Sequence, residues 1–277
     1  MRLTIRNINE MKRKNEQIPM VTAYDYTSGM IAENAGIPML LVGDSLGQVV
    51  LGHDTTIPVT MEEMIHHTKA VVKGTNKALI VADMPFMSYQ ASRENAILNA
   101  GRLLKEGGAQ AVKLEGGTRS ASTVRRIVEV GIPVMGHIGL TPQSVNQMGG
   151  YRVRGKTEQG AERLIEDALD LQSAGAFAIV LELIPNAVAL RITSKLKIPT
   201  IGIGAGPHCD GQIQVLHDLL GLFKEFTPKH AKKFIDGSRL FTQAIQEYVQ
   251  EVKSQTFLVD SQKSKINNIK PEEITTK

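Results

Sequence analysis

From residue 18 to about 250, short continuous apolar runs alternate with longer amphipathic stretches. The runs are Ile18–Ala23, Met39–Val42, Ala78–Ala82, Ala111–Leu114, Pro133–Gly136, Phe177–Leu181, Pro199–Ile203 and, less clearly, Gln212–Leu216. Short unbroken apolar runs suit parallel strands buried on both faces. Between most of them lie Met61–Lys73, Ser92–Glu106, Thr118–Val130, Glu158–Ala174, Ala187–Leu196 and His230–Lys253, with apolar residues at helical spacing. Three runs share their punctuation: Ala-Gly-Ile-Pro before Met39, Val-Gly-Ile-Pro ending at Pro133 and Leu-Lys-Ile-Pro ending at Pro199. Pro blocks continuation of the preceding helix, and in two of the three Gly closes it. Eight such units predict an α/β fold, a (β/α)8 TIM barrel. A doubly wound open sheet is the alternative.

The ends read differently. Thr4–Lys14 has Ile5, Ile8 and Met11 on one helical face, so a short helix is expected to cap the barrel's N-terminal end. Its Lys12-Arg13-Lys14 run reads as a solvated face. Residues 257–277 lack apolar periodicity and read as a flexible C-terminal tail. There is no internal repeat beyond the βα rhythm, so residues 1–256 are expected to form one barrel domain with its capping helix. The length of 277 suits that count, since such barrels take roughly 250 residues.

The net charge of +4 and a pI near 9.1 invite a nucleic-acid reading until the charge is located. Residues 1–16 carry +3 and residues 257–277 carry +1, so the body is neutral. With 4 % aromatics and no Trp, it lacks the basic stripe and stacking platform of a nucleic-acid binder. No apolar run approaches the ~20 residues of a membrane helix. The N-terminus has no continuous apolar region and no small-residue cleavage site, so no secretory signal is expected. Cys209 is the only cysteine, which rules out an internal disulfide. A cytoplasmic location is the simplest expectation.

Barrel active sites sit at the C-terminal ends of the strands, so the residues that end the runs matter most. Acidic residues are 28 of 277, so eight strand ends would hold about one by chance. Asp44, Asp83, Glu115 and Glu182 make four, with Asp218 a further candidate after the eighth run. Any one of them could simply cap the next helix. Four carboxylates facing one cavity must share protons or bind a cation. Oxygen donors without a His or Cys cluster point to a hard divalent ion, most simply Mg²⁺. Asp44 and Asp83 suit direct ligation, and Glu115 would reach the ion directly or through water. Open coordination positions suit a 2-oxo acid chelating through its ketone and carboxylate oxygens, which acidifies the adjacent C–H.

Lys113 and Glu115 are two apart on one strand and share a face. Lys113 is either a structural ion-pair partner or the cation that meets substrate carboxylate or enolate. Ser45 offers a hydroxyl and a backbone N–H, or is a turn residue. Glu182 follows the most apolar run, where apolar surroundings would raise its pKa and suit it to proton abstraction. His137 either orients substrate or is a satisfied core histidine. Gly202-Ile203-Gly204-Ala205-Gly206 is a weak phosphate-loop match, and tight turns needing positive φ are its plainer reading.

These motifs are more specific than a generic barrel. Thr22-Ala23-Tyr24-Asp25-Tyr26, Leu41-Val42-Gly43-Asp44-Ser45-Leu46-Gly47, the stretch from Gly52 to Thr60, Ala82-Asp83-Met84-Pro85-Phe86, Val112-Lys113-Leu114-Glu115-Gly116-Gly117, Gly136-His137-Ile138-Gly139-Leu140-Thr141-Pro142-Gln143 and Gly202–Gly206 with Cys209-Asp210-Gly211-Gln212 together resemble the ketopantoate hydroxymethyltransferase family. The resemblance runs from about residue 3 to 250 and leaves the tail uncovered. It implies a barrel of the phosphoenolpyruvate/pyruvate group, Mg²⁺ dependence and a homo-oligomer, often a decamer. It also implies transfer of the one-carbon unit of 5,10-methylenetetrahydrofolate to 3-methyl-2-oxobutanoate, giving 2-dehydropantoate through a Mg²⁺-stabilised enolate. Carried over residue by residue, Asp44, Asp83 and Glu115 match the metal site, Ser45 and Lys113 substrate contacts, and Glu182 the general base. The loop Gly47–Thr60 is expected to help cover the site. A C–C lyase or mutase of the same barrel group is the rival enzyme reading; such relatives commonly carry a loop cysteine after a strand, and here only Cys209 is at hand. A non-catalytic barrel would have no need of Asp44, Asp83, Lys113 and Glu182 together.

Overall fold

The computed structural model describes residues 2–223 and 228–257. They fall into two compact units: residues up to 217 with 228–231, and the described remainder. The first unit is a closed barrel of eight parallel strands in sequence order: β1 (Ile18–Thr22), β2 (Met39–Val42), β3 (Leu79–Asp83), β4 (Ala111–Glu115), β5 (Val134–Gly139), β6 (Ala178–Glu182), β7 (Thr200–Ile203) and β8 (Gly211–Gln214). β8 pairs back onto β1 through Ile18↔Gly211, so the open-sheet alternative does not hold. β8 ends at Gln214, earlier than the sequence suggests. His217 and Asp218 fall on a following helix instead.

The helices in chain order are α1 (Ile5–Arg13), α2 (Tyr26–Asn34), α3 (Leu46–Val49), α4 (Met61–Lys73), α5 (Arg93–Lys105), α6 (Thr118–Glu129), α7 (Val145–Met148), α8 (Glu158–Ser173), α9 (Asn186–Lys195), α10 (Leu216–Leu220) and α11 (Gly237–Lys253). The six amphipathic stretches all appear. The last begins seven residues later than its pattern: before Gly237, Phe234 N donates to Leu219 O rather than within a helix. Within the described residues, the expected tail reaches only Phe257.

α2 escaped the pattern because its buried face is made of Gly29 and Ala32 rather than large apolar residues. A Cβ on Gly29 would lie 3.2 Å from Val71 O of α4, so a small residue there permits the close packing. Its start is secured reciprocally: Ser28 N donates to Asp25 Oδ1 (2.7 Å) and Asp25 N to Ser28 Oγ (3.0 Å).

α1 caps the barrel as expected. Ile8 is fully buried in a cluster with Ile18, Met20, Met39, Leu79 and Met135. Its basic run is not wholly a solvated face: Lys12 Nζ lies 2.8 Å from Asp210 Oδ2, which also accepts from Thr200 N. Arg2 is spent inside as well, donating to Ala78 O, Val72 O and Thr75 O. Period-two alternation carries the inward columns from this apolar layer toward charge. Val81 leads to Asp83, Ala111 to Lys113, Met135 to His137 and Val180 to Glu182.

Candidate active site

Strand register assembles the site. Asp83 is paired with Lys113 across β3 and β4, and Glu115 with His137 across β4 and β5. Asp44, Asp83, Lys113, Glu115 and His137 are each at most 5 % exposed. Lys113 Nζ lies 2.7 Å from Asp83 Oδ1 and 3.2 Å from His137 Nδ1. Asp44 N donates to Asp83 Oδ2 at 3.0 Å. His137 links two further carboxylates: Nδ1 lies 3.4 Å from Glu115 Oε1 and Nε2 lies 3.1 Å from Glu182 Oε2. The structure therefore brings these six sequence-selected residues together. His137 is engaged with site carboxylates rather than satisfied in an apolar core. Glu182, at the end of β6, meets that imidazole rather than an apolar enclosure.

Ser45 begins α3 without capping it through its side chain. Its Oγ lies 2.9 Å from the hydroxyl of buried Tyr24. A Cβ on Gly43, two residues beyond inward-facing Leu41, would press on Ser45 Oγ at 2.9 Å and approach Asp83 Oδ2 at 3.5 Å. Glycine there keeps the space beside the acids open.

Strand-end reasoning missed the residue that ties the acids together. Gln143, in the turn after β5, donates through Nε2 to Asp44 Oδ2 and Met84 O, both at 2.9 Å. Its backbone N donates to Glu115 Oε2 (3.1 Å), and its Oε1 accepts from Tyr89 OH (2.8 Å). Tyr89 OH also accepts from Glu115 N. Gln143 stood in a family-like motif, but nothing in its spacing tied it to Asp44, 99 residues away. Tyr151 is a second omission: burial and the charges of Glu182, Asp44 and Glu115 raise its phenol above the usual value.

Electrostatics follow from packing four carboxylates beside two cations. Burial, then the charges of Asp83 and Glu115, push Asp44 up to about 8. Burial also raises Asp83, against the pull of Lys113. Burial would lower Lys113, but Asp83, Glu115 and Asp44 hold it above the usual ammonium value. Burial and Lys113 would lower His137, yet Glu115 and Glu182 raise it to about 9. With all four acids ionised, two negative charges are left uncompensated. Glu115 Oε1 has His137 Nδ1, at 3.4 Å, as its ionic partner. An all-oxygen donor set with a twofold charge excess fits a hard divalent cation. Among the described residues no three His, Cys, Asp or Glu side chains converge as a closed cage. An ion here would rest on one or two carboxylates plus water and substrate oxygens, the usual habit of Mg²⁺.

Two backbone features shape the mouth. Leu183, directly after Glu182, has φ 46°, a strained value for a branched side chain. Its N donates to Ile203 O and its O accepts from Arg154 N, so flanking loops hold it there. Gly204 and Gly206 have φ 62° and 81°, which supports the tight-turn reading of the glycine-rich stretch. Cys209 is buried, and burial pushes its thiol up to about 11, so it is not poised as a nucleophile.

Comparisons with known proteins concern the fold and the family. Among solved structures, phosphonopyruvate hydrolase in complex with oxalate and Mg²⁺ matches with a TM-score of 0.62 at 11 % identity, covering 98 % of this chain and 93 % of that one. 2,3-Dimethylmalate lyase, of the PEP mutase/isocitrate lyase superfamily, matches at 0.57 and 15 %, covering 99 % and 94 %. At such identities these likenesses concern the fold alone. The 3-methyl-2-oxobutanoate hydroxymethyltransferase of Chloroflexus aggregans is 60 % identical over 257 residues, 93 % of this chain and 91 % of its own. That of Carboxydothermus hydrogenoformans is 60 % identical over 256 residues, 92 % and 93 %. A family model described as ketopantoate hydroxymethyltransferase matches residues 2–259. With a barrel whose charged strand ends meet at one mouth, and near-full-length relatives at this identity, the chain belongs to the ketopantoate hydroxymethyltransferase family and is a hydroxymethyltransferase.

Proposed function

We propose that this chain transfers the one-carbon unit of 5,10-methylenetetrahydrofolate to 3-methyl-2-oxobutanoate, giving 2-dehydropantoate. The observation that carries the reading is the cluster of Asp44, Asp83, Lys113, Glu115, His137 and Glu182 at one barrel mouth. Asp44 and Asp83 would hold Mg²⁺, with Glu115, the third carboxylate of the site, reaching it through a bound water. When bound, the ion supplies Lewis acidity to the ketone of the 2-oxo acid. Ser45 and Lys113 would meet substrate oxygens. Glu182 removes the proton at C3, the C–H electron pair passing into the enolate. Lys113 balances the negative charge that develops, and His137 holds the Glu182 carboxylate in position. Water adds to the methylene carbon of the donor and the two C–N bonds break, their electron pairs staying on N5 and N10 with the two protons of that water, so tetrahydrofolate leaves and the carbon is released at the level of formaldehyde. C3 bonds to that carbon, the carbonyl electron pair moves to its oxygen, and the oxygen takes the proton held by Glu182 to become the hydroxymethyl group.

The rival lyase or mutase reading loses support because the only cysteine, Cys209, is buried with a raised thiol. A homo-oligomer, decameric by family resemblance, and a cytoplasmic location belong to the same proposal. The exposed apolar stripe Phe241, Ile245, Tyr248 and Val252 on α11 supports association. No helix among the described residues is long and apolar enough to cross a membrane.

The test is Glu182→Gln. Exchange of the C3 hydrogen of 3-methyl-2-oxobutanoate in D₂O should fall by at least ~100-fold, as expected for loss of a general base, while Mg²⁺ binding persists. Undiminished exchange would remove Glu182 from the role of base.

A further inference from the structure

On the same C-terminal face, beside the mouth, lies a second concavity. A cavity of about 910 Å³ opens between the first turns of α6 and α8 and the end of β5. Its wall includes Gly116, next to Glu115, and Ile138, next to His137. Three arginines from three separate stretches line it: Arg119 on α6, Arg154 in the loop before α8, and Arg163 on α8. Arg119 donates to the neutral partners Ser144 Oγ (3.0 Å) and Gln147 Oε1 (3.3 Å). Among the described residues, the guanidinium groups of Arg154 and Arg163 have no partner. Asp167 also lines the cavity, but its Oδ1 accepts from Thr118 N at 2.7 Å and caps α6. The lining thus carries a net excess of two positive charges, in a chain whose body is neutral. The N-termini of α6 and α8, helices of 12 and 16 residues, add to the positive potential.

The mouth and this cavity therefore carry opposite fields side by side. Arg154 is held against the reacting end, since its backbone N donates to the carbonyl of Leu183, the neighbour of Glu182. A donor that is cationic at its one-carbon end and anionic at its tail would be oriented by this pair. The tail carboxylates would be repelled by Asp44, Asp83, Glu115 and Glu182. Arginine forks are suited to carboxylate recognition.

We propose that the arginine-lined cavity binds the glutamate tail of the folate one-carbon donor, a chain of γ-linked glutamates. The proposal rests on the folate-dependent reading above. The test is calorimetric titration of the full chain with tetrahydrofolate monoglutamate and pentaglutamate, using wild type and an Arg154→Ala/Arg163→Ala double variant. Both positions are exposed, so the fold should tolerate the change. Wild type should bind the pentaglutamate at least ~10-fold tighter than the monoglutamate, and the double variant should lose that preference. A double variant that keeps the wild-type preference overturns the proposal. So does inorganic phosphate that displaces the pentaglutamate at equal concentration, which marks an unselective anion site. Exchange of the C3 hydrogen by wild type needs no donor and is measured alongside. Its absence would sink the proposed reaction, while the titration still decides the cavity.

Discussion

Gln143 joins the ends of three strands with one side chain and its own backbone. It donates to Asp44 after β2, to Met84 O after β3 and, from its backbone N, to Glu115 on β4. Replacing it by Leu leaves the Asp44 carboxylate without that donor and Tyr89 OH with only its longer bond to Glu115 O, at 3.3 Å. Gln143→Leu should cost about 1–3 kcal/mol of stability and weaken Mg²⁺ binding by roughly 10- to 100-fold, the usual scale for outer partners of metal ligands. Calorimetric Mg²⁺ titration together with thermal melting measures both. Unchanged metal affinity would mean that Gln143 does not hold Asp44 in place. At this scale the sequence made the four acids legible, because an acid just past an apolar run stands out against its background. Gln143, Tyr89 and Tyr24 stayed hidden. Their partners lie 99, 26 and 21 residues away, and such pairings exist only after the strands close.

Elements were legible where their burial is regular. Strands buried on both faces read as unbroken apolar runs, and α4 matches its amphipathic stretch end to end. β8 blurred because polar Gln212 and Gln214 interrupt its run, so its end was placed too late. α2 was missed because it packs through small residues. α11 has the opposite character: its apolar stripe is obvious in sequence, yet Phe241 is 61 % and Ile245 63 % exposed. A contiguous exposed apolar stripe of this kind marks an association surface. Ile245→Glu should therefore shift the chain to a smaller species at micromolar concentration, read as molar mass by light scattering after size exclusion. A wild-type monomer, or a variant of unchanged mass, would remove α11 from the interface.

For the molecule as a whole, the placement of charge matters more than its sum. The overall +4 comes from the two ends, while the mouth gathers a local excess of acid and the neighbouring cavity an excess of arginine. This arrangement predicts how stability depends on pH. His137 is raised from 6.5 to about 9, so the stability it adds is full below pH 6.5 and is lost as pH climbs through 9. Asp44, raised from 3.8 to about 8, acts in the same direction: the fold keeps a proton that the unfolded chain has released. Metal-free protein should melt roughly 3–8 °C lower at pH 9 than at pH 6.5. The gain in Tm from Mg²⁺ should be larger at pH 9, because cation and proton compete for Asp44. Differential scanning fluorimetry with EDTA or MgCl₂ decides it, and a flat profile in EDTA would contradict the assigned shifts. The sequence by itself determined the barrel, its capping helix and four acids at strand ends, because burial on both faces and βα rhythm are local patterns. Tertiary structure alone decided which groups meet: the pairing of Lys113 with Asp83, the span of His137 between Glu115 and Glu182, the Gln143 bridge and the convergence of three arginines. Those contacts depend on register and closure between strands and helices far apart in the chain, and no local period encodes them.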